Sequence, residues 1–271
     1  LLTKPQPKNI RLVFFMFEGD DITTYSLFKF LGEEEKEYLK KIKKSVNSKE
    51  KEVKLFVMPE TGRKILAAGV CKKSGFSTSK AVLAMRIAVQ TAKKEKIKKF
   101  AFWVAPMDGA ETTRKFYEAV AANALMANFE FMKYKTPPKE GFSFVQEMQA
   151  LCRKQDKNIT EGFRRGIIIG EEVNNCRSLA NTPGGDMTPK ILAEHARKDA
   201  GGTGIKVSIL DEKKIKALKM GGVLGVSKGS DEPPRFIVME YLKGPKSGKP
   251  IVLVGKGVTF DTGGLNLKPE Q

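Results

Sequence analysis

The sequence predicts an α/β protein whose first domain contains a mainly parallel sheet. Short apolar runs alternate with helical patterns along the first half of the chain, and hydrophobic residues make up 41% of its 271 residues. Strands that alternate with helices are typical of α/β domains, in which helices cover the faces of a parallel sheet. We therefore expect a first α/β domain over residues 1–155 and a second domain over residues 156–271.

Each element of the first domain is predicted from its own pattern. Apolar runs predict three strands, over residues 10–17, 53–58 and 100–105, and prolines follow the second and third. The composition predicts two helices, one charged and one rich in Ala, Leu and Met, over residues 33–46 and 111–129. Another helix is expected from Ser79, because apolar residues recur at helical spacing at Val82, Met85, Val89 and Ala92.

The next helix follows a loop at residues 135–141 and is either the connector between the two domains or the first element of the second domain. Asn158 is the predicted N-cap, with Glu161 folding back on it, and the helix should end near Ala180. Thr188 predicts the start of the next helix, because Pro189 suits a first turn. The remaining patterns predict a short helix at 211–220 and strands at 205–210, 235–242 and 251–254, the last of them buried.

The charge, the cysteines and the apolar runs indicate which partners and which cellular compartment to expect. The net charge is +18, but the lysine-rich stretches also carry glutamates, as solvated helix faces do. The three cysteines are scattered without a C-x-x-C pair, which indicates reduced thiols in a cytoplasm. The longest apolar run is too short to cross a bilayer, so we expect a cytoplasmic protein with no membrane partner.

Two familiar kinds of site are excluded, one by the number of histidines and the other by the spacing of glycines. The only histidine, His195, lies in a helical pattern and cannot form a histidine-rich zinc site. Residues 244–250 look like a phosphate-binding loop, but the glycine spacing is too short and Pro250 stands where Ser or Thr is needed. We interpret these residues as a helix position and a solvated turn.

The last segment carries the most chemistry. The expected strand at 251–254 runs into a loop that contains Lys256, Asp261 and Lys268, with glycines at Gly255, Gly257, Gly263 and Gly264. A carboxylate is a good ligand for a divalent metal, and a lysine amine can be one in its neutral form. In open α/β sheets, sites form at the carboxyl ends of strands. Residue types alone leave open either a metal site or a glycine-rich turn with solvated lysines.

Three segments, residues 181–189, 221–235 and 254–264, occur in an order and with motifs that resemble those of the leucine aminopeptidases, the two-metal enzymes of the cytosolic leucyl aminopeptidase family. Residues 254–264 are similar to the family signature V-G-K-G-[ILV]-T-F-D-[ST]-G-G. Residues 181–189 resemble its N-T-P-x-x-x-M-T-P entry to the catalytic domain, and residues 221–235 resemble a further glycine-rich stretch that ends in P-P-R. The resemblance covers residues 158–271 and implies that residues 156–271 are a connecting helix and the beginning of an α/β aminopeptidase catalytic domain.

The resemblance also implies a function and three site residues. Lys256 and Asp261 would be metal ligands, with Asp261 bridging two divalent ions, most often Zn or Mn. Lys268 would be catalytic, because it would contact the substrate carbonyl oxygen and stabilise the negative charge that develops there. The implied enzyme is a cytoplasmic homo-hexamer that releases Leu and other apolar residues from the N-termini of peptides, with bicarbonate as a further cofactor.

The sequence departs from the family pattern at its end. The remaining acidic ligands of the family and the arginine that holds its bicarbonate lie downstream of the lysine that matches Lys268, beyond Gln271. We therefore expect this chain to be an incomplete part of the enzyme and inactive alone. Two alternatives stay open: a DNA-binding role of the basic protein, and a non-catalytic fragment that acts in interactions.

Overall fold

The computed structural model describes residues 10–103, 113–152, 156–245 and 247–261. The chain forms two compact units, Leu1–Cys176 and Arg177–Gln271. The division lies within a long helix, 21 residues after the boundary that we expect at residue 155. The predicted boundary stays a prediction.

A five-stranded sheet organises the first unit. Its strands are β1 (Arg11–Met16), β2 (Val53–Val57), β3 (Lys64–Gly69), β4 (Lys99–Trp103) and β5 (Glu147–Leu151), in the spatial order β2-β3-β1-β4-β5. Strand β1 is parallel to β3 and β4, and β5 is parallel to β4, whereas β2 is antiparallel to β3. The predicted α/β fold with a mainly parallel sheet is confirmed.

Strand β1 is buried on both faces. Its alternate residues Leu12, Phe14 and Met16 belong to one core cluster, whereas Val13 belongs to another on the opposite face. Because successive side chains of a strand point to opposite faces, both faces of the sheet are covered. This double burial explains why the strand appears in the sequence as an uninterrupted apolar run.

Helices on both faces supply the cover. They are α1 (Glu33–Lys41), α2 (Lys43–Val46), α3 (Thr78–Lys94), α4 (Arg114–Asn128) and α5 (Lys157–Asn181). Ser77 caps α3 and Thr113 caps α4, each by accepting a hydrogen bond from a backbone amide of the first turn. Residues from α3, α4 and α5 share one core cluster, and Leu39 of α1 lies in the other. The single helix that we predict over 33–46 is interrupted at Ile42.

The cap of α5 differs from the prediction. The helix begins at Lys157, and the Oδ1 atom of Asp156 accepts a hydrogen bond of 2.9 Å from the amide of Ile159. Asp156 is therefore the N-cap, so the predictions for Asn158 and Glu161 are wrong. The Glu161 carboxylate instead accepts two hydrogen bonds from the Arg164 guanidinium, one turn further along.

The described part of the second unit contains three shorter helices and one two-stranded ladder. The elements are α6 (Pro189–Asp199), β6 (Lys206–Leu210), α7 (Glu212–Ala217), α8 (Gly221–Ser227) and β7 (Phe236–Glu240), and β6 is antiparallel to β7. Thr188 caps α6 and Pro189 occupies its first turn, as predicted. The single histidine, His195, is an ordinary residue of α6. No helix within the described ranges is long and apolar enough to cross a membrane.

The prediction of a buried strand at residues 251–254 is wrong. Their side chains are exposed by 90%, 75%, 92% and 94%, and the structure assigns them no strand. A buried strand needs a neighbour on each side and cover on both faces. In the described part of the second unit, the only ladder joins β6 to β7, and residues 251–254 do not extend it.

Candidate active site

Two of the three predicted site residues lie close together in the loop that follows residues 251–254. The Nζ atom of Lys256 lies 3.7 Å from Oδ2 of Asp261, and the two side chains are 77% and 65% exposed. Lys268 lies outside the described residues, as do Gly263 and Gly264. The structure therefore brings together the two predicted metal ligands and leaves the predicted catalytic lysine untested.

The loop that contains Lys256 and Asp261 packs against the turn at the start of the segment 181–189. A Cβ atom at Gly184 would lie 3.0 Å from both the Cδ2 atom of Phe260 and the carbonyl oxygen of Thr259. A Cβ at Gly257 would meet Leu192 of α6 at 3.6 Å, an ordinary contact distance. Phe260, the residue next to Asp261, thus packs closely against Gly184. Any larger residue at position 184 would disturb this contact.

The turn beneath the loop is closed by its own hydrogen bonds. The carbonyl oxygen of Pro183 accepts hydrogen bonds of 2.8 Å from the amides of Asp186 and Met187. The side chain of Met187 is buried, and Thr188 begins α6 by accepting a hydrogen bond from the amide of Ile191. The N-T-P-x-x-x-M-T-P pattern therefore corresponds to a defined turn and helix start. In the sequence this pattern is a family marker and, at Thr188 and Pro189, a predicted helix start, but it does not indicate the contact between Gly184 and Phe260.

The donors in the described part of this loop are fewer than a metal ion needs. Asp261 offers carboxylate oxygens and Lys256 an amine, whereas zinc takes four ligands in most protein sites. No group of three or more His, Cys, Asp or Glu side chains that could hold a metal occurs among the described residues. Lys256 and Asp261 therefore fit as two ligands of a larger set, and by themselves they would not retain a divalent ion.

Two of the three cysteines, Cys71 and Cys152, offer no alternative nucleophile. Cys71 and Cys152 are buried, and burial raises the pKa of both thiols. Because the thiolate is the reactive form, both should be inert. Cys176 is exposed on α5, and all three are free thiols, as the sequence predicts.

Comparisons with known proteins cover both units. The profile of the cytosol aminopeptidase family, N-terminal domain, matches residues 13–138, and that of the cytosol aminopeptidase family, catalytic domain, matches residues 174–271. A protein of Aquifex aeolicus (strain VF5) named "Probable cytosol aminopeptidase" is 33% identical over 258 residues, which are 94% of this chain and 50% of that protein. A protein of the same name from Acidobacterium capsulatum is 36% identical over 209 residues, 76% of this chain and 41% of that protein. The chain thus spans about half the length of these curated relatives.

Solved structures with the same fold agree with these matches. A tomato leucine aminopeptidase mutant is similar with a TM-score of 0.68 and 23% identity, over 86% of this chain and 48% of that one. The bottromycin maturation enzyme BotP in complex with Mn is similar with a TM-score of 0.65 and 16% identity, over 86% of this chain and 45% of that one. Two family profiles in the expected order, together with curated relatives at 33% and 36% identity, establish that this chain belongs to the cytosol aminopeptidase family.

Proposed function

We propose that this chain is part of a metal-dependent aminopeptidase that releases Leu and other apolar residues from the N-termini of peptides. The observation that carries the proposal is the approach of Lys256 to Asp261, 3.7 Å apart in a loop whose sequence is the family signature. Family membership of both units supports the same activity. The curated relatives named cytosol aminopeptidase support a cytoplasmic location.

The proposed ligands have different roles. The Asp261 carboxylate has two oxygens and would bridge two divalent ions, whereas the Lys256 amine would bind one ion through its lone pair. When bound, the ions would supply a water of lowered pKa and would polarise the carbonyl of the peptide bond. Zn and Mn are the proposed metals, because both accept oxygen and nitrogen donors.

Lys268 would act on the substrate itself. Its ammonium group would donate a hydrogen bond to the carbonyl oxygen of the peptide and stabilise the negative charge that develops there. The matching lysine of the family signature supports this role. Bicarbonate and a homo-hexamer belong to the same proposal, since both follow from family membership alone.

The activity test uses the complete gene product and matched variants. We expect Zn- or Mn-dependent hydrolysis of leucine p-nitroanilide, and we expect Asp261→Asn, Lys256→Ala and Lys268→Ala each to lower kcat by about 100-fold or more. Lys249→Ala, at an exposed lysine of the same segment, is the control and should retain full activity. Full activity of the Asp261→Asn variant would overturn the ligand assignment. Absence of metal-dependent hydrolysis in the unchanged protein would overturn the function.

The 271-residue chain alone should be inactive, because two donors do not retain a metal pair. The intact mass of the natural protein distinguishes a longer enzyme from a non-catalytic protein. A mass well above 30.0 kDa would show that further residues exist to complete the ligand set. A mass near 30.0 kDa, together with no hydrolysis, would favour the alternative of a non-catalytic protein that acts in interactions.

The nucleic-acid alternative gains no specific support from the described surface. A basic pocket of about 430 Å³ lies at the amino ends of the parallel strands. Its lysines are largely paired with carboxylates, including Lys64 with Glu95 and Lys99 with Glu147. DNA binding by this chain therefore stays a prediction, to be tested by whether duplex DNA binds at low salt and is released as salt rises.

A further inference from the structure

The loop that carries the two proposed metal ligands has no regular structure of its own. Residues 251–261 form neither helix nor strand. Gly257 directly follows Lys256, and Phe260 directly precedes Asp261. Because no helical or ladder hydrogen bonds fix the backbone here, the positions of the two ligands depend on what their inner neighbours pack against.

The neighbour of Asp261 packs against the turn before α6. A Cβ atom at Gly184 would lie 3.0 Å from the Cδ2 atom of Phe260, 3.1 Å from its Cβ atom and 3.0 Å from the carbonyl oxygen of Thr259. A side chain at position 184 would therefore push this part of the loop away. The next residue, Gly185, is exposed, and a Cβ atom there would meet no described atom within 4 Å. The close approach thus belongs to Gly184 and not to the glycine pair as a whole.

The neighbour of Lys256 packs against the first turn of α6. A Cβ atom at Gly257 would lie 3.6 Å from the Cδ2 atom of Leu192, which is half-buried. The amide of Leu192 donates a hydrogen bond of 3.0 Å to the carbonyl oxygen of Thr188, the N-cap of α6. Leu192 therefore presents its side chain to the loop from a capped helix.

The turn beneath Phe260 is held without help from the loop. The amide of Met187 donates a hydrogen bond to the carbonyl oxygen of Pro183, and the Met187 side chain is buried. The Oγ1 atom of Thr182 donates a hydrogen bond of 2.8 Å to the carbonyl oxygen of Ser178 in the last turn of α5. The turn and α6 thus form a fixed support on which the loop rests.

We propose that Gly184 and Leu192 are positioning residues for the two metal ligands. Gly184 keeps Asp261 in place by admitting the close approach of Phe260, and Leu192 supports the backbone next to Lys256. Neither side chain can bind a metal ion, so both residues act through the ligands. A ligand that loses its outer support binds its metal more weakly.

The two positioning residues should affect metal binding differently. This inference rests on the proposed function, in which Asp261 bridges two ions and Lys256 binds one of them. Disturbing the support at Gly184 should therefore weaken the binding of both ions. Loss of the support at Leu192 should weaken the binding of only one. A general loss of stability would not produce this difference.

Calorimetric titration of the metal-free complete gene product with Zn or Mn tests this division. The unchanged protein should show two binding events. Gly184→Val should weaken both events by about tenfold or more, whereas Leu192→Ala should weaken one of them by a similar factor. Gly185→Val is the matched control and should bind both ions as the unchanged protein does. Leu192→Met keeps the volume of the side chain and should restore normal binding.

Hydrogen exchange of the metal-free protein gives a second measurement. The amides of residues 255–261 should exchange faster in Gly184→Val and Leu192→Ala than in the unchanged protein and in Gly185→Val. Circular dichroism shows whether each variant is folded. If Gly184→Val does not fold, Leu192→Ala and its comparison with Leu192→Met carry the test.

The possible failures are distinguishable. Normal binding of both ions by Gly184→Val and Leu192→Ala, or equal losses in Gly184→Val and Gly185→Val, would overturn the positioning role and leave the proposed function intact. Equal weakening of both events by Leu192→Ala would overturn the assignment of Leu192 to one ion. Absence of metal binding by the unchanged protein would overturn the proposed function and the positioning role together.

Discussion

At the scale of single residues, Arg63 and Glu35 form a largely buried ion pair in the first unit. The Nη1 atom of Arg63 lies 3.0 Å from Oε2 of Glu35, and the side chains are only 11% and 6% exposed. The guanidinium also donates two hydrogen bonds to the carbonyl oxygen of Ile10, next to the start of β1. Burial lowers the pKa of Arg63, an effect that Glu35 opposes. The pair therefore links the start of β1 to the turn before β3, which contains Arg63, and to α1, which contains Glu35.

We expect Arg63→Met to lower the free energy of unfolding by about 3 kcal/mol, because it leaves the Glu35 carboxylate buried without its cation. Urea unfolding followed by the fluorescence of Trp103, the only tryptophan, measures the change. Adding Glu35→Leu should recover part of the loss, since both charged partners are then gone. Glu33→Gln, which breaks an exposed pair with Lys36, should leave the midpoint unchanged. An unchanged midpoint for Arg63→Met would show that the pair contributes nothing to stability.

At the scale of elements, the close packing of α5 on α4 depends on glycines. A Cβ atom at Gly166 would lie 2.4 Å from the carbonyl oxygen of Glu118 and 2.7 Å from the Cβ atom of Ala121. Gly162 and Gly170 make similar approaches to α4. Because these contacts involve backbone and Cβ atoms that cannot rotate away, the two helices would have to separate to admit a methyl group.

We expect Gly166→Ala to destabilise the first unit by about 1–3 kcal/mol, despite the higher helix propensity of alanine. The fluorescence of Trp103 during urea unfolding measures the effect. Gly75→Ala is the matched control, because its new Cβ would meet only the end of the Lys80 side chain, at 3.5 Å. An equal or higher midpoint for Gly166→Ala than for the unchanged chain would mean that α4 and α5 are less closely packed than described.

The elements also show which parts of the fold a sequence reveals. Strand β1 was predicted from its apolar run and helix α3 from its helical periodicity, because both patterns reflect burial. Strands β3 and β5 were not predicted, because their short runs (residues 64–69 and 147–151) mix alanine or polar residues with apolar ones and depend on neighbouring strands. The buried strand predicted at 251–254 is wrong, because an apolar run indicates burial without identifying the neighbours that provide it.

The candidate site was predictable to a similar extent. Lys256 and Asp261 were found from a contiguous signature, in which spacing alone keeps them near each other. The contact between Gly184 and Phe260 joins segments 76 residues apart, and no local pattern indicates it. The structure thus adds the support beneath the loop, whereas the sequence alone identified the groups that we propose as metal ligands.

At the scale of the whole molecule, the position of α5 decides where the first domain ends. The sequence predicts a boundary near residue 155, whereas the compact units divide after Cys176. The first half of α5 contributes Ile159 and Phe163 to the core that contains α3 and α4, and the ring of Phe163 lies 6.1 Å from that of Tyr117. These contacts indicate that the first unit needs residues 156–176 for its own stability.

We therefore expect a polypeptide of residues 1–176 to fold alone and one of residues 1–155 to be less stable by about 3–6 kcal/mol, the contribution of two large buried side chains. Urea unfolding of both polypeptides, followed by the fluorescence of Trp103, gives the comparison. The Phe163→Ala variant of residues 1–176 separates packing from chain length, and it should lose about 3–5 kcal/mol. If residues 1–155 unfold at the same midpoint as residues 1–176, the helix belongs to the second domain, and the boundary lies where the sequence predicts it.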